Sequence, residues 1–210
     1  MADSLSPADR LWSATAALAA TGVPLMTRVL GGTQPVSAGQ RFPDTDNASG
    51  PMGARWFYHC HNPGDRGAEE HGHFHLFVGR SALPRRTAPL ISPPGRRRPR
   101  PSLVHIAALS IDHQGLPIAW FAPNRWVTNE WMYPARAISA LLPRLAFGAG
   151  DGDEQVAHWL TAMVQASMPL IADVLMRRDA AVLAGEAAGE SRATEVLART
   201  EIDLEALLAG

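Results

Sequence analysis

Histidine alternates with other residues in two short segments, and this alternation constrains the fold more than any other feature of the sequence. The segments are residues 59–61 (His-Cys-His) and 71–75 (His-Gly-His-Phe-His), so they hold five of the eight histidines. Successive side chains of a β-strand point to opposite faces, so the histidines of each segment share one face if both segments are strands. Residues 62–68 are rich in turn formers. The sequence therefore predicts an antiparallel hairpin with its histidines on one face.

The pairing of this hairpin determines which imidazoles meet. If His61 lies opposite His71, then His59 lies opposite His73, and directly opposed residues have Cβ atoms about 4.5–5.5 Å apart. That spacing allows several imidazoles to bind one ion at about 2.0–2.1 Å from each nitrogen. The first four of the predicted metal ligands form the tightest group, and the fifth lies further along: His59, His61, His71, His73 and His75.

The other face of the hairpin is apolar, with Tyr58, Cys60, Phe74 and Leu76, and we expect it to pack in the core. Cys60 is the only cysteine, so no intrachain disulfide and no site of several thiolates can form. On this face it is expected to behave as a small buried hydrophobe rather than as a ligand.

A site of imidazoles without thiolates suits Fe, Cu or Zn. Glu69 and Glu70 are the nearest acids; Glu69 has the strand parity of the histidines, whereas Glu70 would reach the ion only from a loop. Glu70 is the candidate catalytic carboxylate. Oxygen chemistry at iron and hydrolysis by zinc-bound water both remain open for a metalloenzyme acting on a small molecule, and so does a non-catalytic metal-binding or sensing protein.

A second candidate region follows the last predicted strand. A loop that mixes Arg, Asn, Thr and Glu with large aromatics can line a substrate pocket, with Arg125 pairing a carboxylate or phosphate as a second candidate catalytic residue. The alternative is that Asn124 or Thr128 caps a helix while the tryptophans pack. The predicted pocket residues are Asn124, Arg125, Trp126, Thr128 and Glu130.

The remaining patterns predict an α+β fold in a single domain, residues 1–210. Residues 1–54 would form an N-terminal helix, from Pro7 to about Ala20, and a loop that holds one short strand at most. Residues 55–133 would form an antiparallel sheet of two hairpins, the second pairing residues 103–112 with 116–121. Residues 134–210 would be helical, with breaks at Pro143 and Pro169.

Charge and hydropathy narrow the possible partners. The net charge is −1, which gives no overall attraction to nucleic acids or anionic membranes. The proline- and arginine-rich loop 84–101, with arginines at 96–98 and 100, is expected to be solvated rather than to bind nucleic acid. No apolar run is long enough to span a membrane, so we expect a cytoplasmic protein that binds a small molecule. The sequence does not predict its oligomeric state.

Two resemblances add to this interpretation. Residues 71–77 resemble the motif of the histidine-triad nucleotide hydrolases and transferases, which implies His73 as the nucleophile on an α-phosphate and no metal. Gly72 replaces the bulky apolar residue of that motif. Residues 70–75 (Glu-His-Gly-His-Phe-His) together with 124–128 (Asn-Arg-Trp-Val-Thr) are similar to a bacterial family of unknown function, over roughly residues 55–135.

Overall fold

A computed structural model describes residues 5–32, 36–44, 50–61, 69–93, 102–148, 150, 152–185 and 194–210. The predicted turn at 62–68 and the arginines at 96–98 and 100 lie outside the described residues. The described part is an α+β structure, as the sequence predicted.

Six antiparallel strands form one sheet, and their spatial order is the order of the chain. Both predicted hairpins are present. The strands are β1 (Arg41–Phe42), β2 (Arg55–Cys60), β3 (Glu70–Gly79), β4 (Leu103–Asp112), β5 (Pro117–Pro123) and β6 (Val196–Glu201).

Helices flank the sheet at both ends of the chain. The first begins as predicted, because Ser6 and Asp9 form a reciprocal capping box and Pro7 occupies the first turn. The helices are α1 (Pro7–Ala20), α2 (Leu25–Leu30), α3 (Arg125–Thr128), α4 (Ala135–Ser139), α5 (Glu154–Ala166), α6 (Met168–Leu183) and α7 (Leu204–Ala209).

The C-terminal third departs from the prediction in two places. Residues 134–210 are not wholly helical, because Val196–Glu201 forms β6 and pairs with β5. The helix before the predicted break at Pro143 is also short: α4 ends at Ser139, and a 3-10 turn covers Leu142–Arg144, with Pro143 inside it. The predicted break near Pro169 is confirmed, because α5 and α6 meet at a bend of 73°.

The two faces of the β2–β3 hairpin have different surroundings. One face belongs to the hydrophobic core with α5: Phe74 is fully buried, and its ring lies 4.9 Å from that of Tyr58 and 6.4 Å from that of Trp159. The predicted core position of Cys60 is confirmed. The other face carries histidines and phenylalanines, so the helices leave one side of the sheet to a polar cluster.

Among the described residues, no single helix is long and apolar enough to cross a membrane. The bent pair α5 and α6 meets the length and composition criterion only when taken together, and much of each helix is buried in the core.

Candidate metal centre

Three imidazoles converge on the polar face of the β2–β3 hairpin. The predicted pairing of His59 with His73 is observed, and Phe57 pairs with His75. His73 Nε2 lies 2.7 Å from His59 Nε2 and 3.0 Å from His75 Nε2. His73 and His75 are almost completely buried. We call His59, His73 and His75 the three-histidine cluster.

The spacing within this cluster suits a metal ion. Two nitrogens bound at about 2.1 Å from one ion lie roughly 3.0–3.4 Å apart for angles between 90° and tetrahedral. The observed separations of 2.7 and 3.0 Å are close to that range. Burial of polar imidazoles against one another is costly unless hydrogen bonds or an ion satisfy them. The buried cluster could therefore hold a metal ion.

Hydrogen bonds outside the cluster orient two of its rings. His73 Nδ1 lies 2.8 Å from Glu70 Oε1, and His75 Nδ1 lies 2.9 Å from His105 Nε2. If each Nδ1–H donates to these acceptors, both Nε2 lone pairs point into the cluster, as in metal-binding histidines. Burial, helped by the charge of Arg178, lowers the pKa of His105 to about 3. A neutral His105 can accept this hydrogen bond.

Glu70 reaches the cluster from the strand itself, not from a loop as predicted. The pairing of β3 with β4 shifts between Glu70 and Gly72, and this bulge places Glu70 on the face of the cluster. Its side chain is 2% exposed, and Oε2 lies 3.7 Å from Arg199 Nη1. The same Arg199 nitrogen donates to Ser110 Oγ at 3.1 Å. Through Arg199, β6 thus contacts the Glu70 carboxylate, which orients His73.

The same bulge corrects the prediction for His71, which does not lie on the face of the cluster. The Tyr58 hydroxyl lies within hydrogen-bond distance of His71 Nδ1, at 2.7 Å, and the Cys60 thiol lies 4.0 Å from that nitrogen. Burial raises the pKa of Tyr58, so its hydroxyl stays protonated. Burial, followed by the nearby His113, lowers the pKa of His71. Of the predicted group of four, the structure brings His59, His61 and His73 together and places His71 apart from them.

Gly72 makes this bulge possible. A Cβ atom at this position would lie 2.3 Å from the carbonyl oxygen of His59 and 2.6 Å from the hydroxyl of Tyr58. No side chain fits between them without moving the backbone of β2. The glycine that departs from the histidine-triad motif is thus required by the close approach of the two strands.

His61 borders the three-histidine cluster on the side of Glu70. Its ring centroid lies 4.8 Å from that of His59 and 4.9 Å from that of His73. His61, Glu70 and His73 form a second group whose donor atoms lie within 4.8 Å of one another. The two groups share His73, so one imidazole belongs to both candidate ligand sets.

A cleft of about 840 Å³, including its open mouth, adjoins His59 and His75. Thr128 and Glu130 line this cleft, as the pocket prediction proposed. Its other walls are aromatic and charged, and the described residues that form them include Arg41, Asp44, Arg55, Phe57 and Phe77.

The other three predicted pocket residues lie elsewhere. Asn124 is buried, caps α3 by accepting from the Arg125 amide, and donates to the Thr194 carbonyl at 2.9 Å. Trp126 Nε1 donates to the same carbonyl at 3.3 Å. Asn124, Arg125 and Trp126 are not among the described residues that line the cleft. The capping alternative considered for Asn124 is the one observed.

Several contributors to the site were not predicted. His105 lies on β4, and only the register of β3 with β4, which shifts between His75 and Phe77, brings it to His75. Arg41 pairs with His59 across β1 and β2, and its guanidinium carbon lies 4.4 Å above the ring of Phe57. The sequence allowed one short strand in the loop before residue 55. A pairing of that strand with β2 was the one signal that could have located Arg41 beside His59.

Comparisons with known proteins give a family but no activity. Neither a search of curated proteins nor a search of solved structures found a match. A family described as a domain of unknown function matches residues 5–202, almost the whole chain and more than the span inferred from the two motifs. The chain belongs to this family, DUF6969.

Proposed function

We propose that this protein is a metal-dependent enzyme in which His59, His73 and His75 hold one divalent transition metal ion. The observation that carries the proposal is the convergence of their three Nε2 atoms at 2.7 and 3.0 Å. The hydrogen-bond contacts of His73 Nδ1 and His75 Nδ1 support it, because they orient both rings with Nε2 toward the centre of the cluster.

Zinc is the metal that this donor set favours. Three neutral imidazoles leave the charge of the ion uncompensated, and such a centre lowers the pKa of bound water toward neutrality. Hydrolysis or hydration of a small molecule is therefore the proposed reaction class. In the cleft, Phe57 and Phe77 would contact an apolar part of the substrate, and Arg41 would hold an anionic group beside His59.

An enzyme is favoured over a storage or sensing protein for a geometric reason. A metal site without catalytic function is commonly saturated by four protein ligands, whereas a catalytic site keeps a position for water or substrate. The three-histidine cluster supplies three donors, and a cleft adjoins two of them. This arrangement suits a substrate that approaches the ion directly.

Burial argues against the histidine-triad mechanism. The nucleophile of that mechanism must meet an α-phosphate, but His73 is 0% exposed. Its Nε2 faces two imidazoles and its Nδ1 faces Glu70. A phosphate could reach neither nitrogen without displacing these groups.

A second candidate rests on the group formed by His61, Glu70 and His73. Two imidazoles and one carboxylate are the ligand set of non-haem ferrous oxygenases. In this arrangement Glu70 would bind iron directly, and His75 would not be a ligand. The two candidates therefore assign different roles to Glu70 and His75.

Glu70→Gln separates the candidates. With zinc on the three-histidine cluster, the new amide oxygen still accepts from His73 but orients it less strongly, so zinc affinity should fall about 10–100-fold with one ion still bound. Competition with a chromogenic chelator measures this change. Glu201→Gln is the matched control, because Glu201 is exposed and contacts the same Arg199. Complete loss of the ion in Glu70→Gln, with retention in His75→Ala, would favour the iron site.

Activity is tested by hydrolysis of p-nitrophenyl acetate by the zinc-loaded protein. We expect turnover that is lost on chelation, returns on adding zinc, and falls to the uncatalysed rate in His59→Ala. His158→Ala, on the exposed side of α5, should retain it. Stoichiometric zinc without turnover of this ester or of a panel of small esters and amides would contradict the proposed hydrolase and favour a binding protein.

A further inference from the structure

We propose a second ligand site, a pocket for a tetrahedral oxyanion such as a phosphate group, where β3 ends and β4 begins. The pocket is lined by Arg80, Ser81, Leu83, Pro84, Arg85, Ser102 and Tyr133. None of its described lining residues belongs to the three-histidine cluster or to its cleft, so the inference stands apart from the proposed enzymatic function.

Arg80 is held in place for binding. Its Nε donates to the Tyr133 hydroxyl at 2.8 Å, and its guanidinium carbon lies 4.0 Å above the ring of Trp131. Both aromatic residues are buried, at 2% exposure. The guanidinium is thus oriented before a ligand arrives, which lowers the entropic cost of binding. Within the described residues, its terminal nitrogens have no acceptor.

The backbone around Arg80 is equally fixed. Its amide donates to the Ser102 carbonyl at 2.7 Å, and its carbonyl accepts from the Leu83 amide at 3.2 Å. These bonds join the 3-10 turn Arg80–Ala82 to the start of β4. Ser81 and Ser102 both line the pocket with Arg80, and both are exposed.

The chemistry of the lining favours an anion. Two guanidiniums offer paired donors that match two oxygens of a phosphate, and two serine hydroxyls can satisfy others. No carboxylate lines this pocket among the residues that the structure describes. Arg85 is exposed and has no ion pair within the same residues. A cation would find no acceptor of negative charge here.

Charge on the neighbouring surface has the same sign. The adjacent apolar trough shares Pro84 with this pocket and is bordered by Arg86, Arg136 and Arg144, again without a carboxylate among its described lining residues. Arginines therefore cluster on this surface, although the whole chain has a net charge of −1. Such a concentration attracts anions and speeds their association.

Phosphate binding is tested with protein that has been stripped of metal by a chelator and shown by mass spectrometry to be metal-free, so that binding to a metal ion in the cluster does not contribute. Inorganic phosphate and glycerol 3-phosphate are titrated separately by calorimetry, at an ionic strength held constant with sodium chloride. We expect saturable binding of at least one probe, weakened about tenfold or more by Arg80→Gln and by Arg85→Gln. Tighter binding of glycerol 3-phosphate than of phosphate would identify a phosphomonoester as the ligand class, and the reverse order would identify the free ion.

Arg144→Gln is the control, because it removes one positive charge from the same surface but from outside the pocket. It should leave both dissociation constants unchanged. Equal weakening by Arg144→Gln would mean diffuse electrostatic attraction and would overturn the site. Absence of saturable binding, or binding unaffected in both Arg80→Gln and Arg85→Gln, would overturn it as well. Arg85→Gln keeps the test valid if Arg80→Gln unfolds, since the exposed Arg85 makes no described contact on which the fold depends.

Discussion

His75→Ala is expected to reduce bound metal from one equivalent per chain to background. The substitution removes one of three donors and also leaves His105 Nε2 without the His75 nitrogen that lies 2.9 Å away. Two remaining imidazoles cannot enclose an ion against competition from water and buffer. Metal content after loading with zinc and gel filtration, measured by mass spectrometry, gives the occupancy.

The matched control for this loss is His158→Ala. His158 is an exposed histidine on α5, so its removal tests adventitious binding by surface imidazoles. We expect full occupancy in this variant and unchanged far-ultraviolet circular dichroism in both. Full occupancy in His75→Ala, or an equal loss in both variants, would refute the three-histidine cluster as the metal site.

Gly72→Ala is expected to disrupt both the fold and the site. Its new methyl group would meet the His59 carbonyl oxygen at 2.3 Å, so β2 and β3 must separate at the pair that brings His59 to His73. We expect the free energy of unfolding of the metal-free protein to fall by about 2–4 kcal/mol. Guanidinium denaturation measures this change, and zinc affinity should fall together with it.

Gly22→Ala provides the comparison for that experiment. Gly22 has a φ of +68° and no atom within 4 Å of a built Cβ, so alanine there costs about 1 kcal/mol through backbone strain alone. Zinc affinity should not change in this variant. If Gly72→Ala were no more destabilising than Gly22→Ala, and bound zinc normally, the close approach at Gly72 would not constrain the site.

The sequence predicted the part of the site that depends on local periodicity. Alternation put His59 and His73 on one face and Tyr58 and Phe74 on the core face, because strand parity is the same in any regular hairpin. The pairing of His59 with His73 followed from the assumed register, which is the one observed. The prediction from strand parity did not hold at His71. A bulge inserts one unpaired residue there, so the residues of β3 that precede the bulge point to the face opposite the one predicted. Glu70 became a partner of His73 for the same reason.

Residues distant in sequence could not be assigned from periodicity. His105 and Arg199 reach the site only because β3, β4, β5 and β6 pair in sequence. The registers of these pairs include bulges that the amino-acid sequence pattern does not predict. Arg125 was predicted to line the pocket and bind an anion, whereas the arginine beside His59 in the cleft is Arg41, which follows a loop with no periodic signal. The sequence patterns of this chain therefore do not predict how strands that are distant in sequence pair.

The strand order has a consequence for how the site is assembled during synthesis. Each strand pairs with its neighbours in the chain, so the β2–β3 hairpin can form on the ribosome and gather its imidazoles early. The anchor of Glu70 is different, since Arg199 lies on β6, the last strand to emerge. A nascent chain stalled before residue 196 should therefore bind a metal ion at the three-histidine cluster more weakly than a chain in which β6 has paired with β5.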